Sequence, residues 1–238
     1  FDKKSLWVDE VHTFNDSRDD LHAQIHFYKE NPTFLHPPFF FILTHLFYPF
    51  EKPERDLRII PLIAGILSIP MIYLLSRQFS PLIALPCTLS LTFMTYHVGL
   101  SQEGRSYTLI MFLGMVGLYF FIKHLNTAKK LYLSFSAFFL GILFYISYSS
   151  ITFICFSQIL WFYRLNGNNK KSRLSSFFVL SGLILFVCLP WILFVAFNYK
   201  AQPLVDPYQE KLIHSFGEVL YWMLNDWTVH LPLVIISA

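Results

Sequence analysis

Charge is what this sequence has least of. Asp, Glu, Lys and Arg make up 14% of its 238 residues, where a soluble domain carries about a quarter, and that shortfall excludes an ordinary water-soluble globule. Glycine is scarce as well, at nine residues. No Gly-rich phosphate loop, nucleophile elbow, internal repeat or low-complexity stretch is found. The three cysteines, Cys87, Cys155 and Cys188, all fall in apolar stretches without metal-ligand spacing. They read as buried thiols and say nothing about redox compartment. The basic residues are not interleaved with surface aromatics, which argues against nucleic acid as a partner.

Apolar surface is what the chain has in excess. Hydrophobic residues reach 55%, with 27 Phe and 13 Tyr. A bilayer core ~30 Å thick needs roughly 20 mostly apolar residues per helix. Apolar runs that suit such helices fall at about 58–76, 82–99, 106–123, 131–146, 148–164 and 174–197, with a truncated one over 219–238. Pro70, Pro86 and Pro190 lie inside them, as membrane helices with neighbours tolerate. The chain starts on Phe1 and its last apolar run stops at Ala238, so it reads as a fragment that lacks a first membrane helix and the C-terminal half.

Residues 1–56 are different in character. Val11, Phe14, Leu21, Ile25 and Tyr28 recur at near-helical spacing, which predicts one or two surface-lying amphipathic helices over about 10–30, ended by Asn31–Pro32. An apolar run over 37–50 follows, then a charged patch from Glu51 to Arg58. The domain organisation is therefore an outer loop over 1–56 and a helical membrane module over 57–238. The fold class is an all-α polytopic membrane protein.

Basic residues set the orientation. The loops after the first, third and fifth spans hold Arg77; Lys123, Lys129 and Lys130; and Arg164, Lys170, Lys171 and Arg173, with no acid among them. All 15 Asp and Glu residues fall in the first 56 residues, around Glu103, or after Tyr199. The basic loops are thus cytoplasmic, and the Asp9, Glu103 and 199–217 segments share the outer face. A membrane crossing by residues 37–50 would reverse this, so that run is expected to be a half-buried helix that leaves His36 on the face of Asp9.

Three polar clusters on that face could carry chemistry. Asp9 and Glu10 follow the apolar edge Leu6–Trp7–Val8. They read either as caps of a helix beginning near Val11 or as a general base at the lipid–water boundary. His36–Pro37–Pro38 reads either as a helix start, where proline wastes no N–H, or as an anion contact beside free backbone N–H groups. Ser101-Gln102-Glu103-Gly104-Arg105-Ser106-Tyr107 lies between two apolar spans, where charge is expensive. It reads as a mutual Glu103–Arg105 pair or as a guanidinium site for phosphate. The 199–217 loop, with Lys200, Asp206, Lys211 and His214, reads as solvated.

Taken in order, Leu6-Trp7-Val8-Asp9-Glu10, His36-Pro37-Pro38-Phe39, Arg58-Ile59-Ile60-Pro61 and Ser101-Gln102-Glu103-Gly104-Arg105-Ser106-Tyr107 resemble the GT-C superfamily of integral membrane glycosyltransferases. The likeness is to the family 39 branch, which holds protein O-mannosyltransferases and lipid A aminoarabinose transferases. It implies a front module of seven membrane helices, six of them supplied by the spans above, with juxtamembrane helices and the active-site acid in a large first extracytoplasmic loop. It implies a plasma membrane, or bacterial inner membrane, location. The partners it implies are a polyprenyl-phosphate sugar donor, the bilayer and a lipid, glycan or protein acceptor.

By the same resemblance, Asp9 is the catalytic base and Glu10 its structural companion, while His36, Arg105, Glu103 and Tyr107 serve the donor phosphate. Gly104 and Ser106 stand where many bacterial relatives have Ala and Pro, a difference that reads as harmless. Leu35 stands where some relatives have an acid before the histidine, so no metal or other cofactor is expected. The competing reading from another class is a transporter or flippase, which also uses charges at a membrane edge.

Overall fold

The computed structural model describes residues 5–31, 36–164 and 170–198. The 199–217 loop and the 219–238 span lie outside the described residues. No strand occurs among the described residues, which alternate helices with short turns.

Two surface helices come first, α1 (Val8–Ser17) and α2 (Leu21–Glu30), where the sequence suggested one or two over about 10–30. The break between them is built by Asp20, whose carboxylate caps α2 by accepting from the Ala23 N–H at 2.8 Å. Asn31 closes α2, its backbone N–H bonded to the Phe27 carbonyl. The next helix, α3 (Phe39–His45), has seven residues. At 1.5 Å per residue it spans about 10 Å, a third of a bilayer core. Its first N–H donates to the Tyr145 carbonyl at 2.9 Å, which ties it to the membrane bundle. A single turn, α4 (Pro53–Asp56), leads into that bundle.

The bundle comprises α5 (Ile59–Arg77), α6 (Pro81–Phe93), α7 (Thr95–Leu100), α8 (Tyr107–Thr127), α9 (Lys130–Phe144), α10 (Ile151–Arg164) and α11 (Lys170–Asn198), with a 3-10 turn at Tyr148–Ser150. α5 packs between α6 and α8, and α9 between α8 and α11. α8 is the central element: Gly114, Met115, Val116, Gly117 and Leu118 are all buried on it. Small residues let the helices approach. A Cβ on Gly117 would sit 2.9 Å from the Leu140 side chain, and one on Gly141 2.6 Å from Val187. Such close packing replaces the hydrophobic drive that lipid removes.

The outer surface of the bundle is apolar, with Leu82 87% and Phe186 72% exposed, which is the surface that hydrocarbon solvates. Pro53–Arg77, Tyr107–Thr127 and Phe177–Asn198 are long and apolar enough to cross a membrane. Two spans differ from the sequence reading. The one read over 82–99 is interrupted at Met94, whose extended backbone separates α6 from α7. The one read over 131–146 ends as helix at Phe144. Helices of 13 and 15 residues reach only about 20 and 23 Å. Of the cysteines, Cys188 is buried, Cys87 intermediate and Cys155 exposed on the outside of α10.

Candidate active site

The helix carrying the acid pair starts earlier than its apolar spacing suggested. Trp7 is extended and caps α1, and Glu10 reaches back to accept from its N–H at 3.3 Å, one half of a capping box. Asp9 and Glu10 therefore sit inside the first turn, where carboxylates suit the helix dipole. Neighbours on a helix point about 100° apart, and the two acids separate accordingly.

Glu10 turns inward. It is 1% exposed, and its partner Arg58 is 2% exposed. The Arg58 Nε donates to Oε1 at 2.8 Å and Nη2 to Oε2 at 2.6 Å, a bidentate fork. The Gly104 N–H donates to Oε1 at 2.7 Å. One carboxylate thus joins α1, the start of α5 and the 101–107 loop. Burial works to raise the Glu10 pKa, but the bonds from Arg58, Gly104 and Trp7 outweigh it and hold the group below the ordinary range. Gly104 is packed against this knot: a Cβ there would lie 3.1 Å from the Leu57 Cβ and 3.3 Å from Glu10 Oε1. The glycine is therefore not an idle variant of alanine.

Asp9 turns the other way, into a cavity of about 460 Å³. Its backbone carbonyl accepts from Arg105 Nη1 at 3.2 Å, so the guanidinium is fixed beside the acid. Among the described residues nothing hydrogen-bonds the Asp9 carboxylate. His12 and Asp16 follow at i+3 and i+7, one face of α1, and line the same space. α2 adds Phe27 and Tyr28, and the far side is closed by His36, Phe41 and Arg105.

His36, Phe41 and Arg105 also line a second cavity of about 190 Å³, with Tyr107, Ser147 and Tyr148 on its other side. Arg105 lies 5.9 Å from the Tyr107 ring centre, at the limit of cation–π attraction. The structure thus gathers Asp9, His36, Arg105 and Tyr107 around two adjoining cavities. Glu103 lines neither. Among the described residues it forms no ion pair with Arg105, and its charge acts on Arg58.

Two participants escaped the sequence reading. Arg58 was quoted only as part of a motif, and its signal was the last charge of the 51–58 patch, at the mouth of an apolar span. Asp16 was not singled out, although its i+7 spacing from Asp9 places both on one face of α1. Burial pushes the Asp16 carboxyl above the usual range, while His36, His12 and Arg105 pull in the opposite direction. Burial likewise raises the Tyr28 hydroxyl, with smaller contributions from Asp16 and Tyr148. Among the described residues no group of three His, Cys, Asp or Glu side chains is arranged to hold a metal ion.

An all-helical chain with three helices long and apolar enough to cross a bilayer is an integral membrane protein. Residues 35–194 match the family described as dolichyl-phosphate-mannose-protein mannosyltransferase. The chain belongs to that family and is a membrane glycosyltransferase of the GT-C type. No curated protein and no solved structure matches it. The matched range takes in His36, Arg58, Glu103, Arg105 and Tyr107 but not α1, so the match says nothing of Asp9 and Glu10.

Proposed function

We propose that the protein transfers a sugar from a polyprenyl-phosphate donor to a hydroxyl of a lipid, glycan or protein acceptor on the extracytoplasmic face, with inversion at the anomeric carbon. The observation that carries this reading is the shared cavity wall. An acid without a hydrogen-bond partner among the described residues, Asp9, lines one cavity with Arg105 and His36, which also line the next. A phosphate at the shared wall has a guanidinium and an imidazole as donors, and the anomeric carbon then lies on the Asp9 side.

In this mechanism Asp9 takes the proton of the acceptor hydroxyl as its oxygen attacks the anomeric carbon. The bond from that carbon to the phosphate oxygen breaks, and the electron pair leaves with the polyprenyl phosphate. Arg105 and His36 stabilise the charge that develops there, and general-base help is worth ~10²–10⁴-fold. Glu10 keeps Asp9 in place through Arg58 and the 101–107 loop. Glu103 acts on the phosphate only at a distance, since it lines neither cavity.

The test is Asp9→Asn in the full-length protein, with a radiolabelled polyprenyl-phosphate sugar in membranes. Donor binding is expected to persist while transfer falls by at least ~10²-fold. Transfer near the wild-type rate removes Asp9 as the base. Sugar that crosses the bilayer still attached to its lipid, with none transferred, supports transport instead.

A further inference from the structure

We propose that Asp16 holds the sugar being transferred, accepting hydrogen bonds from ring hydroxyls remote from the anomeric carbon. This rests on the glycosyl-transfer reading above and assigns the far end of the same cavity. Asp9 and Asp16 are seven residues apart on one face of α1, a rise of about 10 Å. An attacking oxygen next to Asp9, the pyranose ring, and a hydrogen bond of ~2.7 Å at each end fit that separation.

The wall around Asp16 suits a sugar rather than an ion. Phe27 and Tyr28 of α2 line the cavity with it, so the carboxylate stands beside aromatic surface. Sugar rings present C–H faces and hydroxyl edges together, and sites for small molecules pair apolar walls with few placed polar groups. A further cavity of about 240 Å³ adjoins on the far side of Asp16, with Phe27 and Tyr28 again in its wall. The space therefore continues past the carboxylate and does not end on it.

Asp16 is also held rigidly. The buried Gln24 side chain donates to the Asp16 carbonyl at 3.1 Å and to the Asp19 carbonyl at 3.0 Å. The carbonyl of the next residue, Ser17, is 3.0 Å from His45 Nδ1 of α3. Two clamps thus fix the end of α1 that carries the carboxylate. Asp16 is half-buried, and among the described residues it forms no ion pair. A carboxylate kept in a cleft against its solvation preference marks a functional position.

The experiment measures binding of farnesyl-phosphate mannose, glucose and galactose, and their 4-deoxy and 6-deoxy analogues, to the full-length protein in nanodiscs. For the sugar that binds best, one deoxy analogue is expected to bind the wild type about 10- to 100-fold more weakly, the strength of a hydrogen bond to a charged group. Asp16→Asn is expected to weaken the parent donor to a similar degree and to show no further loss with that analogue. Its effect falls on KM, whereas Asp9→Asn acts on kcat. Wild-type affinity in Asp16→Asn, or losses that multiply, overturns the proposal and leaves glycosyl transfer standing. Should Asp16→Asn fail to fold, the wild type decides alone: indifference to every deoxy analogue overturns it. If none of the three donors binds even the wild type, the polyprenyl-phosphate donor reading falls and this inference with it.

Discussion

Replacing Glu10 with alanine removes the bidentate carboxylate from a guanidinium that is 2% exposed. Arg58 then loses both bonds of its fork, and the Gly104 N–H loses its acceptor. Breaking one side of a buried pair costs about 3–5 kcal/mol. For a chain of this size 1 kcal/mol moves the melting temperature by about 2–4 °C, so the apparent Tm of purified protein in detergent should fall by roughly 6–20 °C. Replacing both partners by apolar residues, Glu10→Leu with Arg58→Met, should recover most of that loss, because both buried charges are then removed together. The pH dependence gives a second reading. A carboxyl whose folded pKa is depressed contributes stability above its unfolded pKa of about 4.3 and loses it as pH falls through the folded value. The acid-side loss should be steeper in wild type than in Glu10→Gln. A Tm that moves by less than about 2 °C in Glu10→Ala, or a double variant no better than the single, refutes the argument that this pair ties the site together.

Arg105→Lys keeps the charge but replaces a fork of donors with a single ammonium; donor binding should weaken at least ~10-fold, read by titration with farnesyl-phosphate mannose. Gly104→Ala forces a Cβ against Leu57 and the Glu10 carboxylate and should cost about 1–3 kcal/mol by overpacking, seen as a lower Tm. Asp16→Asn should melt higher than wild type at neutral pH. Its folded pKa is raised by burial, so its favourable contribution is present below the unfolded pKa and lost as pH rises through the folded value. The two melting curves should therefore converge in acid.

The parts of this molecule governed by local pattern are those its sequence discloses. Hydropathy marks the membrane helices because a bilayer demands a minimum apolar length, and the one-sided basic loops order them. Met94 gives no such warning: neither Pro nor Gly marks the break between Phe93 and Thr95. The start of α1 was misjudged because apolar spacing begins at Val11, while the helix is set by the reach of Glu10 back to Trp7. Asp9, His36 and Arg105 were each visible as polar residues at an apolar edge. What could not be seen is that Glu10 would choose Arg58, 48 residues away, because ion pairing over such a separation leaves no periodic trace. Asp16 was hidden differently, among neighbouring acids that all look solvated, although it is half-buried and lines a cavity with Phe27 and Tyr28 of α2.

The Glu10 knot also sets a timetable for the newborn chain. Its carboxylate emerges first, yet the last of its donors, Gly104, lies 94 residues further along. At about 5–20 residues per second of synthesis, roughly 5–20 s separate the two. During that interval the outer segment has no fixed seat, and α5, α6 and α7 must be laid into the bilayer before it can acquire one. The cavity beside Asp9 is consequently completed late, and a nascent chain arrested before Gly104 lacks its Arg105 wall.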